Sequence, residues 1–258
     1  MLLQTLKTRT ARFMIRSQSF GHLVSRLSFI LALGLGLVLT NTKANAQNNT
    51  LMKYERRAGY KLLFDGKSLK GWHNYGTNGV RPQWVVDDEA IHLSQGQGRD
   101  IVTDKAYENF ILELDWKIST NGNSGLFYLV NEDTAKYKSI WNTAPEYQIL
   151  DNEGHKDGQY ENHRAGANYD LITPVPGHTK PVGEYNHTKL VVNKGKVEHW
   201  LNGTLVVSYT LWTPEWEALV AASKFKKYSG YGRAKVGRIG LQDHGDKVWF
   251  RNIKIKKL

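Results

Sequence analysis

The 258 residues contain no cysteine, only six prolines and three methionines, and very little that reads as helix. Without thiols there is neither a disulfide nor a lipobox-type acyl anchor, so core burial and strand pairing must hold the fold. Acidic residues are missing from residues 1–46, which carry Lys7, Arg9, Arg12, Arg16, Arg26 and Lys43. The apolar run Leu27–Leu39 is shorter than the roughly 20 residues of a membrane-spanning helix, and Ala44-Asn45-Ala46 precedes Gln47. A basic stretch, an apolar stretch and small residues in that order predict a signal peptide cleaved after Ala46, with Met14 as an alternative start. The mature protein is then expected in the periplasm or outside the cell, with no membrane anchor. Removing those six basic residues takes the formal charge from +11 to +5, which withdraws most of the support for a nucleic-acid partner.

What the sequence has in quantity is aromatic: 8 Trp, 13 Tyr and 8 Phe, enough for one large β domain. Residues 47–58 are polar and unpatterned and are expected to form a flexible tether, with the domain running over 59–258. From Tyr60 onward short β-prone runs alternate with turn residues. Expected strands include Tyr60–Phe64, Trp84–Val86, Ala90–Leu93, Phe110–Ile118, Ser124–Val130, Tyr147–Leu150, Thr188–Val192, Lys196–Leu201, Thr204–Tyr209, Val236–Gln242 and Val248–Ile255. Such a series predicts an all-β sandwich or barrel. Phe110, Leu112, Leu114, Trp116 and Ile118 share one face of their run, which marks a half-buried strand. In the last run the apolar positions switch from even to odd between Phe250 and Ile253, which predicts a bulge near Arg251-Asn252. The one clear helix starts at Pro214 behind the N-cap Thr213 and runs to about Phe225 at the surface. Residues 151–185 lack periodicity and are too long for an ordinary connection.

Alternation places Glu146 and Gln148 on one face opposite Tyr147 and Ile149, and Gln242 and His244 on one face opposite Leu241. These polar sets read either as the floor of a cleft or as solvated strand residues. Asn123-Ser124-Gly125 reads as a turn or as a small-residue surface facing a ligand. Trp72, Trp141, Tyr169, Tyr185 and Trp212 lie in or beside loops, where aromatic faces stack on sugar rings or simply pack. His155, His163, His178 and His187 fall in or just after the long loop. A divalent metal ion is one reading of them and surface histidine the other, since no compact ligand spacing selects a metal.

Taken in order, Phe64-Asp65-Gly66, Gly71-Trp72, Asn123-Ser124-Gly125, Glu146-Tyr147-Gln148-Ile149-Leu150-Asp151, Gly183-Glu184-Tyr185-Asn186, Trp200-Leu201-Asn202-Gly203 and Gly240-Leu241-Gln242-Asp243-His244-Gly245 resemble the motifs of the 3-keto-glycoside lyase/hydratase family. The resemblance spans nearly all of 59–258. It implies a concanavalin A-like jelly-roll β-sandwich with one short surface helix. It also implies cleavage of 3-keto-glycosides by β-elimination (1,2-lyase) and hydration of a 3-keto-2-hydroxy-glucal, on a substrate prepared by a partner sugar 3-dehydrogenase. Within that reading Glu146 and His244 are the catalytic candidates, and Asn123, Gln148, Asp151, Gln242, Trp72 and Tyr169 the substrate-binding ones. Many relatives carry an arginine after the aromatic pair where this chain has Leu129.

Two other readings share the sandwich. One is a non-catalytic carbohydrate-binding module. The other is a classical hydrolase of the laminarinase type, whose Glu-x-Asp-x-x-Glu motif is matched by Glu113 and Asp115 but broken by Ile118.

Overall fold

The computed structural model describes residues 47–258; the expected leader lies outside them. Thirteen strands follow in chain order: β1 Lys61–Leu62, β2 Trp72–Asn74, β3 Trp84–Asp87, β4 Ala90–Leu93, β5 Ile101–Tyr107, β6 Phe110–Ile118, β7 Asn123–Val130, β8 Glu146–Leu150, β9 Asn186–Asn193, β10 Lys196–Leu201, β11 Thr204–Thr210, β12 Gly237–Leu241 and β13 Val248–Lys257. An eight-stranded sheet has the order β11-β10-β9-β6-β13-β4-β3, with β1 beside β13, and a five-stranded sheet has the order β2-β5-β12-β7-β8. All pairings are antiparallel. Alternate side chains of both sheets meet in one core, with Trp116, Phe110 and Phe250 from the larger sheet and Leu126, Tyr147 and Leu241 from the smaller.

Local sequence explains the turns. Asn202-Gly203, both with positive φ, join Leu201 to Thr204 as a two-residue hairpin, the geometry that Asn-Gly favours. The Asn202 side chain accepts from His187 N–H at 2.8 Å and donates to the His178 carbonyl at 2.7 Å. It thereby ties this hairpin to the end of the long loop. The expected bulge is present: the β13–β6 register shifts between Arg251 and Lys254, and Asn252 takes a φ of 55°.

Residues 47–58, expected as a tether, instead pack on the domain. Asn49 and Asn252 exchange two hydrogen bonds, each backbone N–H donating to the other's side-chain oxygen at 2.6 and 2.8 Å. A short helix α1, Lys53–Arg57, buries Glu55, whose carboxylate pairs with Lys254. The composition of this segment hid a long-range polar clamp that has no periodic signature. The second helix, α2 Pro214–Ala222, starts as expected, with Thr213 accepting from Trp216 N–H. It ends before Phe225, at Ser223, where a tighter turn over Lys224–Lys227 follows.

Candidate active site

The smaller sheet carries the site on the face turned away from the core. Register pairs Leu241 with Ile101 and with Leu126, and Leu126 with Tyr147, and all four lie in the core. Because strand side chains alternate, the next row, Asp100, Gln242, Gly125 and Gln148, faces outward together with Glu146. Further along this outer face a second apolar cluster, with Val102, Phe127 and Ile140, covers the strands. The polar row is therefore confined to one end. The long loop covers the free edge of β8: Gln148 N–H donates to the Ala167 carbonyl at 3.1 Å, Gly166 N–H to the Gln148 carbonyl at 2.9 Å, and Tyr169 N–H to the Glu146 carbonyl at 3.0 Å. An otherwise exposed strand edge is closed this way.

Above Glu146 opens a cavity of about 260 Å³, near the small end of ordinary small-molecule sites, roughly 300 Å³ and upward. Trp141, Tyr169 and Tyr228 form aromatic walls; Glu146, Gln242 and His244 supply polar groups, and Lys224 and Lys227 supply cations. Trp141 is 40% exposed, an unusual state for so large an apolar ring. Gly125 makes room for the acid, because a Cβ added there would lie 2.8 Å from Glu146 Cδ and 2.9 Å from Cγ.

The electrostatics single out Glu146. Burial, reinforced by the negative charge of Asp100 and to a lesser degree of Asp157, pushes its carboxyl well above the usual range, against the pull of Lys224. Among the described residues no side chain or backbone group hydrogen-bonds to it. Asp100 is itself pushed up to about 7, first by burial and further by Asp243, although it accepts the Asp243 N–H at 2.9 Å. Two interacting carboxyls with displaced titrations, Glu146 lining the pocket and Asp100 in the row beside it, are the arrangement expected of acid–base chemistry.

Of the residues singled out from sequence, Glu146, Gln242, His244, Tyr169 and Trp141 converge on this cavity. Gln148 lies in the same row but is fully buried, its side-chain oxygen accepting from Ile149 N–H. Asn123 is buried at the start of β7. Asp151 clamps a turn, accepting from the N–H groups of Asn121, Glu153 and Gly154. Trp72 packs in the core with Nε1 donating to the Leu63 carbonyl at 2.7 Å; it does not border the Glu146 cavity but lines a second cavity at the opposite edge of the sheet. Trp212 and Tyr185 also lie elsewhere, Trp212 donating to the Gly232 carbonyl and Tyr185 beneath the Arg251 guanidinium.

The four loop histidines do not converge, and among the described residues no group of three or more His, Cys, Asp or Glu is arranged to hold a metal ion. His163 lies between Asp170, at 3.0 Å, and Asp157, at 3.6 Å; His187 pairs with Asp115 at 2.8 Å. Glu113 and Asp115 stand on β6 of the other sheet, do not line the Glu146 cavity, and are engaged by Tyr60, Lys254, His187 and Asn252. Burial alone would raise the Asp115 carboxyl, but hydrogen bonds from His187 and Asn252 hold it below its ordinary value. Such a committed carboxylate does not suit the laminarinase-type reading. Asp100 and Lys224 escaped sequence reasoning because neither lies in a periodic run.

A larger cavity of about 620 Å³ lies at the opposite edge of the smaller sheet, by His73, Glu132 and Arg238. There the charges satisfy one another: His73 bridges Asp104 at 2.6 Å and Glu132 at 2.9 Å, and Arg238 pairs with Glu132 at 2.6 Å.

The fold is a concanavalin A-like jelly-roll sandwich, with an aromatic-walled pocket around the Glu146 carboxyl on the outer face of its smaller sheet. A Bacillus subtilis protein with a galectin-like fold superposes with a TM-score of 0.50 at 15% identity, covering 77% of this chain and 98% of its own, a likeness of fold alone. More specifically, the chain belongs to the family of the 3-keto-alpha-glucoside-1,2-lyase-like domain, whose model matches residues 59–256. A 3-keto-disaccharide hydrolase of Bacteroides thetaiotaomicron is 41% identical over 228 residues, 78% of this chain and 79% of that protein. A crystal structure of a candidate glycosyl hydrolase from Parabacteroides distasonis is 37% identical, covers 82% of this chain and 100% of its own, and has a TM-score of 0.78.

Proposed function

We propose that this protein cleaves 3-keto-glycosides in two linked steps, 1,2-elimination of the C1 substituent and hydration of the resulting 3-keto-2-hydroxy-glucal. One observation carries the reading: a buried carboxyl with a raised pKa and no hydrogen-bond partner among the described residues, Glu146, at the floor of an aromatic-walled pocket. A raised pKa makes the ionised form a stronger base. A ketone at C3 acidifies the C2 hydrogen, so Glu146 takes that proton while the electron pair moves to O3. The pair then returns, C1=C2 forms, and the C1–O bond breaks as the departing oxygen takes a proton from His244. Water adds across C1=C2, its hydroxyl going to C1 and a proton to C2, and the net result is hydrolysis without an oxocarbenium route. Gln242 and Tyr169 bind ring hydroxyls, and the aromatic walls hold the ring.

The ketone is supplied by a separate sugar 3-dehydrogenase acting beforehand, and the leader directs the protein to the periplasm or outside the cell. The test is release of a chromogenic aglycone from a 3-keto-glucoside and from its unoxidised parent, with and without chelator. Release from the keto sugar alone, lost in Glu146→Gln and His244→Ala, supports elimination; release from the parent overturns it. Sugar binding with no turnover of either compound replaces it with a carbohydrate-binding module.

A further inference from the structure

The proposed chemistry calls for a positive group where negative charge gathers on O3, and the resemblance to the family would look for it at the position of Leu129. In this chain that position cannot serve. A bulge in β7, where Leu129 adopts a φ of 56°, turns both Tyr128 and Leu129 into the core. Lys224 stands in the pocket instead. Its turn is rigid: Ser223 Oγ accepts from Phe225 N–H at 3.1 Å, and Phe225 stacks on Tyr231 at 4.0 Å and 6°.

The ammonium is aimed without being consumed. Its nitrogen lies 4.1 Å from the Tyr169 ring centre and 3.7 Å from Asp170 Oδ1. Asp170 is braced in turn by His163 at 3.0 Å. At 3.7 Å the Asp170 contact is an ion pair rather than a hydrogen bond, and among the described residues Lys224 Nζ donates no hydrogen bond. A cation fixed beside the base, with unspent donors, is what oxyanion stabilisation requires.

We infer that Lys224 is the catalytic electrophile of this site, its ammonium donating to O3 of the 3-keto sugar as the C2 proton passes to Glu146. The inference rests on the proposed 3-keto-glycoside chemistry. In the step, the C2–H bond breaks, its proton goes to Glu146, and its electron pair forms C2=C3 with the charge on O3 against Lys224.

The test uses the full-length mature protein and a chromogenic 3-keto-glucoside. Lys224→Met is expected to lower kcat about 10²–10³-fold, the range for losing one oxyanion donor, with little change in KM. Lys224→Arg should recover most of that loss. Lys226→Met, exposed on the same turn and outside the pocket, is expected to stay near wild type. The groups facing Lys224 are Asp170 and Tyr169 from the loop and Glu146 from β8, with Lys227 on its own turn and His244 beyond β12. Because Lys224 holds the Glu146 titration down, Lys224→Met also moves the rising acid limb of the pH profile upward, a change that a packing role would not produce. Unfolding curves of each variant separate misfolding from lost chemistry. Undiminished kcat for Lys224→Met at its own pH optimum, or no recovery in a folded Lys224→Arg, overturns the inference. Failure of wild type to act on the keto sugar would overturn the underlying reading instead.

Discussion

The Glu146 carboxyl lies over the bare backbone of Gly125, where an added Cβ would come within 2.8 Å of Glu146 Cδ. Gly125 and Gln148 are register partners, so the strand that carries the acid and the strand that makes room for it are locked together. The Asn123-Ser124-Gly125 motif therefore acts through what it omits.

Gly125→Ala should displace the carboxyl rather than the sheet, because the clash is with a side chain. The expected outcome is a loss of about 1–3 kcal/mol in stability, the ordinary cost of overpacking, with a much larger proportional loss of kcat. Chemical denaturation beside steady-state kinetics checks both.

Asp100→Asn tests the coupling of the two acids. Ionised Asp100 raises the Glu146 titration, so its removal should move the rising acid limb of kcat/KM to lower pH. Stability should respond with a defined sign. The Asp100 carboxyl titrates higher when folded, at about 7, than when unfolded, so whatever it contributes is present below its unfolded pKa and is lost as pH rises through about 7. The variant should match wild type near pH 4 and unfold at a higher temperature near pH 8. Thermal scans at both values check this.

Asn49→Ala should cost about 1–3 kcal/mol, since it strands the Asn252 N–H at the β13 bulge. The clamp lies at the larger sheet, away from the pocket, so kcat should hold. Urea titration and turnover of the same sample distinguish the two effects.

Much of the fold was legible because burial on a pleated strand imprints a period of two. Ala90–Leu93, Phe110–Ile118 and Lys196–Leu201 have the bounds their patterns predict, and the even-to-odd switch after Phe250 marks the bulge. Ile101–Tyr107 was not legible: a register shift beside Arg238 breaks its alternation and exposes Asp104-Lys105-Ala106. That omission also hid Asp100, one residue before the strand. In the site, Glu146 and Gln242 followed from alternation. Lys224 did not, because a cation on an irregular turn reaches the pocket only through tertiary packing. Trp72 was not separable from the pocket residues for the opposite reason, since a loop-flanking Trp looks the same in sequence whether it borders one cavity, another, or the core.

The most direct test of the central claim is the fate of the C2 hydrogen. A 3-keto-glucoside is cleaved in D₂O, and the released 3-keto sugar is read at early times, corrected for exchange measured without enzyme. Elimination followed by hydration predicts one solvent deuterium at C2 in every product molecule. Cleavage with the original hydrogen retained at C2 would contradict it.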